Sequence, residues 1–445
     1  MNLNNINSIF FLGIGGVGMS ALAKYFIAKG INVYGYDKTP SEMTDALTNL
    51  GAKITFVDDA KCTENPFDLI VYTPAIPIDS FLLNYYQQST IPLMKRSQAL
   101  GLITENSFTI AVSGSHGKTT VSSMIAFLLK ECGIDCSAFL GGVSVNFNSN
   151  YIQGKSDVVV VEADEFDRSF MTLSPNIIVL TSIDTDHLDI YGTRENIVTS
   201  FLEFLNKLDD IGILIHNEKV IDEILIRGKK YIYGFQLGDY KATALKICPT
   251  HSTFSINDSE EVFKLNYNGR HNIENALAAI SVGLTMGIAL DKMVSALEKF
   301  RGIKRRFEVI FQNEKCVYID DYAHHPAEIE ALVSSVKEIF PNKRILSIFQ
   351  PHLYSRTKDL CVDFARSLDL SDEVILLPLY PARELPIKGV TSYIVSEKMK
   401  SNVKVVDKTE LITTINGCNF DVILTIGAGD ISGCISDIKN YLSTR

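Results

Sequence analysis

The chain is short of positive charge. Its 445 residues carry 42 lysines and arginines against 52 aspartates and glutamates, a formal net charge of −10. With no basic excess to displace counterions from a phosphate backbone, general nucleic-acid binding is excluded, and work on phosphate must fall to a few local basic groups. Long apolar runs are missing too. None reaches the roughly 18 uninterrupted residues of a membrane span, although hydrophobic residues make up 46% of the chain. The opening stretch MNLNNINSIFFLG has neither a basic leader nor a small-residue cleavage site, so a cytoplasmic location is expected. No CxxC pair occurs among the eight cysteines, which are expected to be buried small side chains rather than metal ligands or disulfide partners.

Two glycine loops stand out against that background: GIGGVG from Gly13 to Gly18, and GSHGKTT from Gly114 to Thr120. Each follows an apolar run that reads as a buried strand, Ser8 to Leu12 and Phe108 to Val112, and each opens onto an apolar-periodic helical stretch. At such a junction backbone N–H groups and the positive end of a helix dipole converge, which suits a phosphate. Two phosphorylated ligands are therefore expected.

The organisation is α/β, and the length suggests about three domains of ~150 residues each. Strands Ser8–Leu12, Asn32–Tyr36 and Leu69–Tyr72, with a helix from Met19 to Lys29, give the rhythm of a parallel sheet with crossover helices. A second unit opens at Phe108, and its strands Val158–Val161 and Ile177–Thr181 end in the acidic clusters VEADEFD and IDTDHLD. Ligands gather at the carboxyl ends of strands in open sheets, so these clusters should face the second loop. From Ile211 to Tyr267 the pattern is less regular, and a helix is expected over Ile273–Met286. Strands Val317–Asp320, Ile345–Phe349, Val374–Leu379, Val403–Val406 and Val422–Ile426 predict another doubly wound sheet. The expected domains are 1–106, 107–302 and 303–445.

In the first loop Gly13, Gly15 and Gly18 satisfy GxGxxG, and Asp37 lies where dinucleotide-binding sheets place an acid on the ribose. NAD, another diphosphate nucleotide and a merely structural tight turn all fit this pattern, and no downstream group offers hydride chemistry. The second loop departs from GxxxxGK[ST], since Val112 stands where glycine is required. Lys118 would still reach terminal phosphates and Thr119 would still offer its hydroxyl to Mg²⁺. Glu162 is a candidate metal ligand and His187 a candidate for a second ion, whereas Asp164, Glu165 and Asp167 are expected to cap helices or stay solvated.

Further on, GRHNIENALAA, KRRFE, DDYAHHPAE, FQPHLYSRT, YPAREL and GAGD follow in order. With the two loops, EADEFDRSF and DTDHLDIYG, this series resembles the Mur ligases over almost the whole chain. The resemblance implies a three-domain α/β enzyme with a Rossmann-like UDP-binding domain, a central P-loop ATPase-type domain and a C-terminal Rossmann-like domain. It also implies ATP-dependent amide formation in peptidoglycan synthesis, with Mg²⁺ as cofactor. Gly13, Gly15, Gly16, Val17, Gly18 and Asp37 would then hold UDP-N-acetylmuramate. Gly114, Ser115, His116, Gly117, Lys118, Thr119 and Thr120 would hold ATP, with Thr119, Glu162 and His187 at the metals. Asn272 and Asn275 match residues near the nucleotide, as do Arg306 and Asp321. His352, Arg356 and Tyr322 would meet the incoming amino acid, L-alanine, Arg356 gripping its carboxylate through a planar fork. Many relatives carry arginine after FQPH, where this chain has Leu353. A recycling ligase that attaches a preformed tripeptide would share the nucleotide motifs, and a nucleotide-sensing binding protein would have no use for the acidic clusters or the third domain.

Overall fold

The computed structural model describes residues 5–59, 66–183, 191, 193–220, 226–382 and 384–444. Its strands form three sheets. The first contains β1 (Ser8–Leu12), β2 (Asn32–Tyr36), β3 (Lys53–Thr55), β4 (Leu69–Tyr72) and β5 (Leu93–Lys95), in the order β3-β2-β1-β4-β5. All pairs are parallel. Helices α1 (Val17–Ala28), α2 (Glu42–Asn49), α3 (Phe81–Gln88) and α4 (Arg96–Thr104) supply the crossovers. The anticipated helix begins two residues earlier than its periodicity suggested, because the glycine loop itself supplies the first turn at Val17.

The second sheet has ten strands: β6 (Phe108–Ser113), β7 (Ser137–Ser144), β8 (Ser149–Ile152), β9 (Val158–Glu162), β10 (Ile177–Leu180), β11 (Ile213–Asn217), β12 (Lys229–Gly234), β13 (Tyr240–Ile247), β14 (Ser252–Ile256) and β15 (Phe263–Leu265). Its parallel centre runs β11-β10-β6-β9-β7. Strands covered on both faces read as unbroken apolar runs, as in the buried valines of β9. The stretch that looked irregular in sequence is where strands β11 to β15 extend the sheet from its parallel centre to one edge. Helix α5 (Lys118–Glu131) packs on β7 and β9.

The third sheet, β16 (Glu308–Gln312), β17 (Val317–Asp321), β18 (Ile345–Phe349), β19 (Glu373–Leu376), β20 (Asn402–Val405) and β21 (Val422–Ile426), has the order β16-β17-β21-β18-β19-β20. Only β16 is antiparallel to its neighbour, so this is a doubly wound sheet with one reversed edge.

The three sheets fall into two compact units. One comprises the chain up to Lys246 with His251–Tyr267 and His271–Arg301, and the other is built mainly from Gly302 onward. Within the first unit, one apolar core runs from Phe11 and Phe26 of the first sheet's layer to Phe139, Phe170 and Phe204 of the second. The join is also polar. Lys24 of α1 donates to Asn150 at 2.7 Å, and Asn150 in turn donates to the Val17 carbonyl at 2.6 Å and to Ser20 at 3.0 Å. The other unit has its own core around Tyr318, Ile348 and Ile423. The described cysteines are free thiols, and Cys136, Cys316, Cys418 and Cys434 are buried as expected. No helix among the described residues is long and apolar enough to cross a membrane.

Candidate active site

The first glycine loop is shaped by close approach. Gly13 sits at φ +85°, where a Cβ would come within 2.6 Å of Thr73, and the Gly13 and Ile14 amides donate to the Tyr36 carbonyl at 2.8 and 3.1 Å. Gly15 gives its amide to Asp37 Oδ2 at 2.7 Å, and a Cβ there would lie 2.8 Å from the same oxygen. Asp37 also accepts from the Lys38 amide at 2.8 Å. Both Asp37 oxygens are thus engaged with backbone, so this acid, expected from its spacing to meet a ribose, braces the glycine loop. Gly16 is the N-cap of α1 and has no side chain to satisfy the first turn, which leaves its amides directed outward. Arg96, at the start of α4, packs its aliphatic stem within 2.9 Å of where a Gly18 Cβ would be.

The second loop leaves β6 and enters α5 through two left-handed glycines, Gly114 at φ +130° and Gly117 at φ +81°. A Cβ on Gly117 would lie 2.8 Å from Asn275 Oδ1. Asn275 lies on the helix Arg270–Thr285 and donates to buried Asn272 at 3.0 Å, so the HNxxN string is held directly against the loop. Beyond β10, Ser182 accepts from the Ser115 amide at 3.2 Å and from the His116 amide at 3.1 Å. Thr119 and Thr120 are buried in the first turn of α5.

Lys118 is the most enclosed cation here, its side chain only 12% exposed. It donates to the Gly114 carbonyl at 2.8 Å and lies 3.0 and 2.8 Å from the two oxygens of Glu165, a residue 2% exposed. This corrects the expectation for Glu165: its backbone stands at the N-cap of the 3-10 helix Phe166–Thr172, but its side chain makes no capping bond and does not face solvent, because it turns in to pair with the loop lysine. Burial pulls the Lys118 ammonium down, but Glu165, Asp164 and Glu162 outweigh it and raise its pKa. Glu165 itself is pushed up by burial against the pull of Lys118. Glu162, at the end of β9, accepts from the Gly141 amide at 2.9 Å and from Thr119, and burial pushes its carboxyl up as well. A carboxylate beside a hydroxyl at a phosphate loop is an oxygen donor set that fits Mg²⁺, with the rest supplied by water and phosphate. His187 lies outside the described residues.

In the other unit, β17 ends in two aspartates that strand alternation sends different ways. Asp320 is fully buried, accepts from Thr425 Oγ1 at 2.5 Å and pairs with Arg305 Nε at 3.1 Å. Asp321 accepts from the Phe307 and Ala323 amides at 2.6 and 2.8 Å. Burial pushes its carboxyl up to about 6, against the opposing pull of Arg306. Arg305 also reaches the Gly427 carbonyl of the GAGD turn at 2.5 Å. Tyr322 lies between the guanidinium groups of Arg305 and Arg306, at 5.2 and 5.4 Å from its ring centre. Its ring meets His324 edge-on at 5.5 Å, His324 meets His352 at 6.2 Å, and His352 stacks on Tyr380 at 5.8 Å. The structure therefore brings Tyr322 and His352 onto one row of rings.

Arg356 follows on the short helix Tyr354–Asp359, and its Nη1 is buried with no hydrogen-bond partner among the described residues. Leu353 precedes that helix at φ +71°, ψ 135°, a conformation L side chains avoid. It is held by its amide, which donates to Tyr380 at 3.0 Å, and by its carbonyl, which accepts from Thr357. Glu384 of YPAREL takes the Ser355 amide at 3.0 Å and the Ser355 hydroxyl.

Sequence reasoning missed Glu165 and Arg305. Arg305 stands beside Arg306 in KRRFE, and a loop of two arginines carries no period to say which one turns inward.

Three protein-family models match the chain. Residues 8–107 match the Mur ligase family catalytic domain, 112–283 the Mur ligase middle domain and 305–429 the Mur ligase glutamate ligase domain. A UDP-N-acetylmuramate–L-alanine ligase of Cytophaga hutchinsonii is 44% identical over 100% of this chain and 99% of its own. One from Flavobacterium johnsoniae is 43% identical over the same shares. Among solved structures, the UDP-N-acetylmuramate–alanine ligase of Thermotoga maritima superposes with a TM-score of 0.83 at 29% identity, covering 98% of this chain and 100% of its own. A murein peptide ligase of Psychrobacter arcticus shares the fold, with a TM-score of 0.72 at 23% identity over 98% and 99% of the two chains. The chain belongs to the Mur ligase family.

Proposed function

We propose that the chain is the ATP-dependent ligase that joins L-alanine to the lactyl carboxylate of UDP-N-acetylmuramate, releasing ADP and phosphate, in cytoplasmic peptidoglycan precursor synthesis. The observation that carries this reading is end-to-end identity of 44% with a relative of that name. The recycling ligase is the less favoured reading, since the murein peptide ligase neighbour stands at 23%. We place the domain boundaries at 1–106, 107–302 and 303–445; the three matched family domains begin at residues 8, 112 and 305.

The chemistry begins with the lactyl carboxylate attacking the γ-phosphorus of ATP, which gives an acyl phosphate and ADP. The amine of L-alanine then adds to the acyl carbon, and the tetrahedral adduct expels phosphate as the amide forms. Two anions must meet in the first step, so the site has to offset their repulsion. Lys118 is assigned to the β and γ phosphates, and Gly114 to Thr120 would supply backbone and hydroxyl donors. Thr119 and Glu162 would hold Mg²⁺, which when bound neutralises phosphate charge; His187 is assigned to a second ion on the family resemblance alone. Asn272 and Asn275 would steady the nucleotide beside Gly117. Arg306 and Asp321 are given their nucleotide role by the same resemblance.

Val17 and Gly18 would present amides to the UDP diphosphate, with Gly13, Gly15 and Gly16 shaping the turn that lets it approach and Asp37 holding the loop in shape. Arg356 would receive the amino-acid carboxylate on its buried Nη1, unpartnered among the described residues, with His352 and Tyr322 as the further candidates at this site. His352 is the candidate for accepting the amine proton, since imidazole titrates near neutrality.

The deciding experiment is ADP release with Mg²⁺, ATP and UDP-N-acetylmuramate, comparing L-alanine with the cell-wall tripeptide as acceptor. Release driven by L-alanine is expected; release with the tripeptide only would replace this reading by the recycling one. Lys118→Ala should abolish ADP formation, and retained turnover would remove the ATP assignment.

A further inference from the structure

The Lys118–Glu165 pair is more than the mechanism above requires. The ammonium already has the Gly114 and Ser115 carbonyls at 2.8 and 3.4 Å, and it donates to Glu165 Oε1 at 3.0 Å while Oε2 lies 2.8 Å away, the two side chains being only 12% and 3% exposed. Glu165 is fixed there by its backbone: its carbonyl accepts from the Tyr191 hydroxyl and from the Arg168 amide at 3.0 Å. Two other acids, Glu162 and Asp164, also bear electrostatically on the ammonium. A buried carboxylate with two oxygens on a phosphate-loop lysine presents the same groups, at the same kind of distance, as a phosphate would.

We propose that Glu165 is an internal counter-ion that competes with the nucleotide's phosphates for Lys118 and yields the ammonium when a nucleotide binds. The inference rests on the nucleotide reading of the second loop. An ammonium has three donors, and the Gly114 carbonyl, the Ser115 carbonyl and Glu165 Oε1 already take them, so Glu165 and a phosphate cannot both be fully served. Glu165 is a positioning residue that acts through Lys118. By linkage, whatever the carboxylate contributes to the nucleotide-free protein is subtracted from nucleotide affinity. The pair holds a buried lysine in place until substrate arrives, at the cost of weaker binding.

The test is calorimetric titration of the full chain with ADP and Mg²⁺, for the wild type, Glu165→Gln and Glu165→Asp, alongside melting temperatures with and without ADP. Glu165→Gln keeps the shape and removes the charge, and should bind ADP roughly tenfold more tightly, a change of about 1.4 kcal/mol. It should also melt lower than the wild type without ADP, with the gap narrowing at saturating ADP. AMP, which has no β-phosphate, should bind all three proteins alike. Glu165→Asp withdraws the carboxylate by one carbon and should show a smaller tightening, so it carries the test by itself where the glutamine protein does not fold. ADP binding that is unchanged or weaker in the variants, or a melting deficit that ADP leaves untouched, overturns the exchange and makes Glu165 a plain structural partner. Failure of the wild type to bind ADP would instead remove the nucleotide reading beneath it.

Discussion

At the scale of single residues, the site is governed by buried charges and their partners. Arg356 illustrates the unsatisfied case, with a guanidinium nitrogen buried and unpaired among the described residues. Leaving a buried charged donor unmet is costly, so a carboxylate there is worth a good deal. Arg356→Ala should raise the KM for L-alanine at least tenfold with a smaller effect on the KM for ATP, read from initial rates; an unchanged KM would reject the carboxylate role. Asp321 gives a pH signature. Its carboxyl lies at about 6, above the ordinary 3.8, so the folded form holds its proton more tightly than the unfolded chain. The stability this contributes is present below about 4 and is lost as pH rises through about 6. Melting temperatures of the wild type should therefore carry a downward component with pH over this window that Asp321→Asn lacks; equal slopes in the two proteins would contradict the shift.

At the scale of elements, both loops work because a strand stops, a glycine turns the chain left-handed and a helix begins. Gly117 has two reasons to be glycine, its φ of +81° and the proximity of Asn275. Gly117→Ala should cost about 1–2 kcal/mol of stability from the backbone alone, measured by denaturant unfolding, and should weaken nucleotide binding as the loop shifts from the helix Arg270–Thr285. Stability and binding both at wild-type levels would mean that the turn tolerates a side chain. Most of this architecture was legible in advance. Strands such as Ser8–Leu12, Asn32–Tyr36, Ile345–Phe349 and Val422–Ile426 appear where their apolar runs placed them. An apolar run is a local property of composition, and it can be read without knowing the partners that later cover it. What stayed hidden depends on tertiary partners. Nothing in VEADEFD distinguishes Glu165, which turns in to meet Lys118, from an acid that stays in water. Leu353 gave no sign of its positive φ, because the Tyr380 carbonyl and Thr357 that hold it are set by the fold.

At the scale of the whole molecule, three sheets are grouped as two compact units. The first and second sheets share a core, so they are expected to melt together. Scanning calorimetry should resolve at most two cooperative transitions, with the one assigned to the unit from Gly302 onward missing in a chain ending at Arg301. Three independent transitions would refute the shared core.

Asn150 spans that core's polar edge, holding Lys24, Ser20 and the Val17 carbonyl on α1. Val17 is the first helical residue after the glycine loop proposed to hold the UDP diphosphate. A gene fragment encoding only residues 1–106 would therefore make a polypeptide whose glycine loop has lost its outside brace and whose α1 shows its apolar flank to water. Anyone designing a screen for compounds against the proposed sugar-nucleotide site should start from the two-sheet unit, because inhibitors selected on the shorter piece would be chosen for a loop that the intact enzyme does not display.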